Sequence, residues 1–224
     1  MIFYILKSSL LLLILITVYK FFLENEKMHK FNRIYLLCSL LFSFIIPFNL
    51  FSLKAKMLTA PISFQLNEII LQKTNENIIT NNLVFNYLII TIYSLFSTLL
   101  IIRFLWNLYS FYKKIRKNEH VIINGNKVIL LQESVVPHSF LNYIFLNKHD
   151  YKNNAISAEL IIHEKEHILQ KHTLDILFIE ILQILFWFNP LILFYKSAIK
   201  LNHEFLADEI VNTRFNSIIN YQNM

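Results

Sequence analysis

Apolar residues run along this chain in long unbroken blocks joined by short polar links, the pattern expected of membrane helices. Residues 2–23 form the first block, with Lys7, whose stem can carry its charge to the nearer interface, and Lys20 near its far end. No small-x-small cleavage site follows, so the block reads as a retained helix and not a signal peptide. After a polar link over residues 24–33, carrying Lys27, Lys30 and Arg33, residues 34–53 form a second block with Pro47 near its far end. Residues 54–82 are polar and of mixed character, with no readable motif. Residues 83–109 form the third block, with Trp106, Tyr109 and nearby Tyr112 where an interfacial aromatic belt belongs. Lys113, Lys114, Arg116 and Lys117 follow directly.

The pattern changes after residue 117. Val121-Ile122-Ile123 and Val128-Ile129-Leu130-Leu131 flank Asn124-Gly125-Asn126, a hairpin signal that uses the only glycine. Residues 142–146 predict a further strand. Such strands are either a plain structural element or an edge for pairing with an extended peptide. Residues 155–171 lack Gly and Pro and are rich in good helix formers, so they predict a helix. Residues 174–199 are apolar again, but Trp187-Phe188-Asn189-Pro190 lies at their centre. Proline has no N–H and disfavours helix at the residue before it. The two halves, about 15 and 10 residues, are shorter than the ~20 that a crossing helix needs. The segment therefore reads as a hairpin that dips into the membrane and returns.

Composition agrees with this reading. The 224 residues are 55% apolar and 16% charged, with mean hydropathy +0.46, unlike a soluble domain. The single cysteine, Cys38, lies in an apolar block and excludes a disulfide framework or a thiolate metal site. The +6 formal charge flanks apolar blocks and does not form a stripe with interleaved aromatics. It therefore argues for membrane topology and against a nucleic-acid partner. The two basic links, separated by two spans, fall on one side, which the positive-inside rule makes cytoplasmic, with the N-terminus outside.

Candidate chemistry centres on His163-Glu164-Lys165-Glu166-His167. On a helix the two histidines lie one turn apart on one face, where both imidazoles can reach one Zn²⁺ and a neighbouring glutamate can serve as base. Helix geometry does not choose the base, because Glu164 and Glu166 each sit about 60° from one histidine. The motif order chooses Glu164. A catalytic zinc needs a third protein ligand and one open position. In the acidic cluster after the apolar hairpin, Glu204 is the best candidate, and a hairpin returns it to the histidines' side. His203 beside it is ligand, oxyanion donor or neither. Asp208, four residues on, suits a carboxylate that hydrogen-bonds a ligating imidazole, or else one that is merely solvated. His172, five positions after His167 on a straight helix, points away from the ligand face and is expected to be structural or supporting. Asp175 is a further orienting candidate.

Together, His163 to His167, His172, Asp175, Trp187-Phe188-Asn189-Pro190 and the stretch from His203 to Asp208 resemble the membrane-embedded zinc metallopeptidases of the BlaR/MecR type, the β-lactam sensor-transducers. The likeness covers roughly the second half of the chain, and the segment Phe31-Asn32-Arg33-Ile34-Tyr35-Leu36 looks similar too. The resemblance implies His163, His167 and Glu204 as zinc ligands and Glu164 as catalytic base. It also implies cleavage of a protein, either the chain itself or a transcriptional repressor, at a cytoplasmic-side site of a bacterial inner-membrane, multi-pass protein. No penicillin-binding sensor domain accompanies the motif in these residues, so the chain is either a truncated form or one that pairs with a sensor in trans, with the lipid bilayer and a protein substrate as the other expected partners. The resulting expectation is a mainly α membrane protein. Three transmembrane helices within residues 1–112 precede a small α+β, zincin-like, glutamate-liganded metallopeptidase domain over residues 113–224. A quality-control membrane protease and a non-catalytic membrane scaffold with a structural metal are the alternatives. The last residues, 218–224, read as an interrupted helix.

Overall fold

The fold, given by a computed structural model, is described for residues 2–47, 76–123 and 125–222, with side chains over 3–47, 84–123 and 125–215. The far end of the second apolar block and most of the polar segment after it lie outside the described residues. The chain is mainly helical with a small four-stranded sheet.

Helix α1 (Ile2–Val18) continues through a π-helical turn, Tyr19–Leu23. Helix α2 (His29–Ile45) starts earlier than the polar link suggested, so Lys30 and Arg33 ride on its first turns and the true link is residues 24–28. The long α3 (Glu76–Lys117) outruns the third apolar block at both ends. Phe3–Leu23 and Val84–Lys117 are long and apolar enough to cross a membrane. The 17 described residues of α2 fall short of the ~20 needed.

Past α3 come β1 (Glu119–Ile123), β2 (Asn126–Leu131), β3 (His138–Phe140) and β4 (Tyr143–Asn147) in the spatial order β1-β2-β4-β3. The expected β1–β2 hairpin forms, antiparallel, with Gly125 at φ +79°. The strand expected at 142–146 is β4, which pairs parallel with β2 and antiparallel with β3. β2 and β4 are covered on both faces, which explains their continuous apolar runs. Val128, Leu130, Ile144 and Leu146 pack on Leu160 and Ile168 from further along the chain. Ile129, Leu131 and Phe145 pack on Phe111 and Ile115 from the end of α3. The short β3, with no strong β-former pattern of its own, is an edge strand of the sheet, as β1 is at the other side.

Short α4 (Lys148–Lys152) leads to α5 (Ala158–Leu169), α6 (His172–Leu185) and α7 (Leu191–Gln222). The break expected at Asn189-Pro190 is present, and its chemistry is visible. Asn189 Oδ1 accepts from the Leu191 N–H at 3.1 Å. Asparagine thus caps α7, with proline in the first helical position, where a missing N–H costs nothing. The Asn189 amide also donates to Ser9 Oγ at 3.0 Å, tying the turn to α1. The hairpin legs bury Ile179, Ile192, Tyr195 and Ile199 against Leu12, Tyr19, Leu36 and Leu40 of α1, the π-turn and α2. This core unites residues from both sides of the boundary near residue 112. The outer faces of α3 are bare, from Val84 and Phe85 to Trp106 and Tyr109. It touches the hairpin through a Phe96–Trp187 ring stack at 4.9 Å and through Tyr93 Oη, which donates to Leu185 O at 2.8 Å.

Candidate metal centre

Ser157 starts α5 by accepting the Leu160 N–H on its hydroxyl. The helix stops at Gln170, and Lys171 turns left-handed with φ +55°. This corrects the unbroken helix through Lys171 expected from the sequence. No glycine marks the stop, because a lysine occupies the left-handed position that glycine usually fills. The turn also relocates His172. On a straight helix it would point away from the ligand face. Instead it opens α6, and its Nδ1 lies 2.7 Å from His167 Nδ1.

His163 and His167 face one way from α5, their Nε2 atoms 3.1 Å apart. From α7, Glu204 places Oε2 3.3 Å from His163 Nε2 and Oε1 3.8 Å from His167 Nε2. Ligands held tetrahedrally at about 2.0–2.1 Å from zinc are about 3.3 Å from one another, so the two His163 separations are close to the edges of such a site, whereas the 3.8 Å contact of His167, made with the other Glu204 oxygen, is longer. The structure thus brings the three residues together as a group that could hold a metal ion.

Tautomers assigned from the hydrogen-bond network sharpen the fit. Burial, aided by the neighbouring His203 and His167 rings, pushes His172 down to about 2, so the ring is neutral. Its Nε2 lies 3.3 Å from Gln170 Oε1, an acceptor, which puts the proton there and leaves Nδ1 to accept from His167 Nδ1–H. His163 Nδ1–H points to Asp208 Oδ1 at 3.0 Å. Both Nε2 lone pairs then face each other, and a cation relieves the repulsion. That cation is either a proton on His163 or a metal. Consistent with this, the hydrogen bond that His163 donates to Glu204 holds its ring above the ordinary histidine range against burial, whereas burial pushes His167 below it. The His163 contact holds Glu204 below the usual carboxylate range. Glu204 and Asp208 are exposed, so one side of the group is open to solvent, as a site with a vacant ligand position requires.

The two glutamates of the motif have different surroundings. Glu166 is buried and paired with Arg214 of α7 at 3.0 Å. Glu164 is also buried, and burial pushes its carboxyl up against a hydrogen bond from Ser139 of β3. It carries no Arg or Lys ion pair among the described residues. His203 is turned to Asp175, its Nε2 2.9 Å from Oδ2, and its ring stacks on His172 at 3.9 Å and 7°. It is not a member of the ligand group. Asp175 also accepts from Arg33 Nε at 2.7 Å.

Sequence reasoning did not reach Ser139, Gln170 or the role of Arg33. Ser139 lies in a three-residue strand, too short for a periodic signal. Gln170 and Arg33 depend on the turn at Lys171 and on a contact spanning more than 130 residues. No known family model matches the chain, and no curated protein is significantly similar to it.

Proposed function

We propose that this chain is a membrane-embedded zinc endopeptidase that cleaves itself or a membrane-proximal regulatory protein in signal transduction. The observation that carries the reading is the convergence of His163 Nε2, His167 Nε2 and a Glu204 carboxylate on one point, with Glu164 alongside. Bound zinc would supply Lewis acidity, polarising a peptide carbonyl and making water more acidic. The protein residues do the rest. Glu164, kept more basic than an ordinary carboxylate by burial, takes the proton of the attacking water and passes it to the leaving amine. Asp208 and His172 fix the two ligand rings through their Nδ1 atoms. The outer edge of β3, beside Glu164 through Ser139, offers backbone groups on which an extended substrate can add as a fifth strand.

The membrane assignment rests on the bare apolar surface of α3 and on the two helices of crossing length. In this reading α2 is also a span, the second of three in chain order, and the α6–α7 hairpin is re-entrant. The metal centre lies on the cytoplasmic side, with the basic α1–α2 link and the basic end of α3. The α2 end of that link is beside the site, where the His29 and Phe205 rings are 5.3 Å apart. A site at the foot of the bundle would select substrates that are themselves at the membrane.

The test is zinc content and self-cleavage of detergent-purified protein. About one zinc per chain is expected, lost in His163→Ala and Glu204→Ala. It should be kept in Glu164→Gln, with cleavage falling by at least ~10³-fold. A wild type that takes up no zinc would overturn the proposal.

A further inference from the structure

The structure assigns Arg33 of α2 as a positioning residue for the metal centre, an inference that rests on the zinc reading above. Arg33 Nε donates to Asp175 Oδ2 at 2.7 Å, and its Nη2 donates to the Gln170 carbonyl at 2.8 Å. One guanidinium therefore grips the C-cap residue of α5 and the first turn of α6 together, on either side of the left-handed Lys171. A planar fork with several donors suits this two-point hold, which a lysine ammonium cannot reproduce.

From that grip two short paths lead to the ligand His167. On one, Gln170 is held at its backbone while its side chain lies 3.3 Å from His172 Nε2, and His172 Nδ1 meets His167 Nδ1 at 2.7 Å. On the other, Asp175 Oδ2 is shared with His203 Nε2 at 2.9 Å, and the His203 ring lies flat on His172 at 3.9 Å. Both paths end on the same ring, so Arg33 determines where His172 sits, and His172 determines the tautomer and tilt of His167. His172 and His203 are about 3% exposed, so little solvent screens the chain of contacts. Asn202, next to His203, donates to His29 O at 3.0 Å and ties α7 to the start of the same helix. A rotation or axial shift of α2 is thereby transmitted to a metal ligand through side chains that themselves bind no metal.

The test uses full-length apo protein in detergent. Zinc affinity is measured by competition with a chromophoric chelator, and the visible spectrum of the Co²⁺-loaded protein reports ligand geometry. Arg33→Ala is expected to weaken zinc binding by about 10-fold or more, as loss of a support for a ligating histidine does, and to alter the Co²⁺ spectrum. Arg33→Lys should recover part of the loss. Asp175→Asn should weaken binding too, and the double variant should lose much less than the product of the single effects. Thermal unfolding of the apo proteins controls for folding. If Arg33→Ala does not fold, Arg33→Lys and Asp175→Asn carry the test. Affinities within twofold of wild type with an unchanged Co²⁺ spectrum, or fully multiplicative losses, would overturn the inference while leaving the zinc reading intact. A wild type without zinc would instead remove the reading beneath it.

Discussion

At the scale of single residues, the centre is a set of rings whose protons have been placed by their neighbours. His163 is held above the ordinary histidine range by Glu204, whereas burial depresses His167. If zinc binds as proposed, it should displace a proton mainly from His163, and affinity should fall as pH drops through and below the raised value for that ring. Calorimetric titration of apo protein near neutral pH, in buffers of different ionisation enthalpy, should detect proton release that disappears at higher pH. His163→Ala should abolish both the release and the binding. Glu166 has a different role from Glu164, because its carboxylate is buried against Arg214. Arg214→Ala should cost about 1–2 kcal/mol of stability by leaving that group poorly compensated. The low figure reflects the 47% exposure of the arginine. Thermal unfolding measures the loss, and zinc content should not change. The motif spacing marked Glu164 as the base, but only the fold separates the two glutamates by their surroundings.

At the scale of elements, the legible features were those with a local cause. The hairpin at Gly125, the strand at 142–146 and the break at Asn189-Pro190 all follow from turn residues and apolar runs. Asn189→Ala should remove the α7 cap and destabilise by about 1 kcal/mol, read as a lowered thermal midpoint. The turn at Lys171 was not legible, because it places a β-carbon in the left-handed region at a cost of about 1–2 kcal/mol and leaves no compositional mark. Only tertiary contacts repay that cost, among them the Arg33 grip on Gln170 and Asp175. The parallel pairing of β2 with β4 was equally hidden. It depends on β3 being placed outside β4, which no alternation in His138-Ser139-Phe140 announces.

At the scale of the whole molecule, the sheet is a bridge between the long apolar helix α3 and the candidate site. One face rests on Phe111 and Ile115 of α3 and the other on α5, which carries two of the proposed ligands. Helix α7 has a still more direct part. It is a single rod from the turn at Asn189-Pro190 to beyond Glu204 and Asp208, so the third ligand lies about 21 Å from the pivot. A tilt of about 5° over that length moves the carboxylate by about 2 Å, and a 1 Å misplacement can cost 10²-fold in rate. If the hairpin is seated in lipid, bilayer thickness sets that tilt. Reconstitution into phosphatidylcholines of increasing acyl length should then give cleavage with a sharp optimum at one chain length, with zinc content nearly constant across the series. A flat profile would mean that the rod is clamped at its outer end. A sharp optimum would make the proposed peptidase a gauge of the membrane around it, with α7 as its needle.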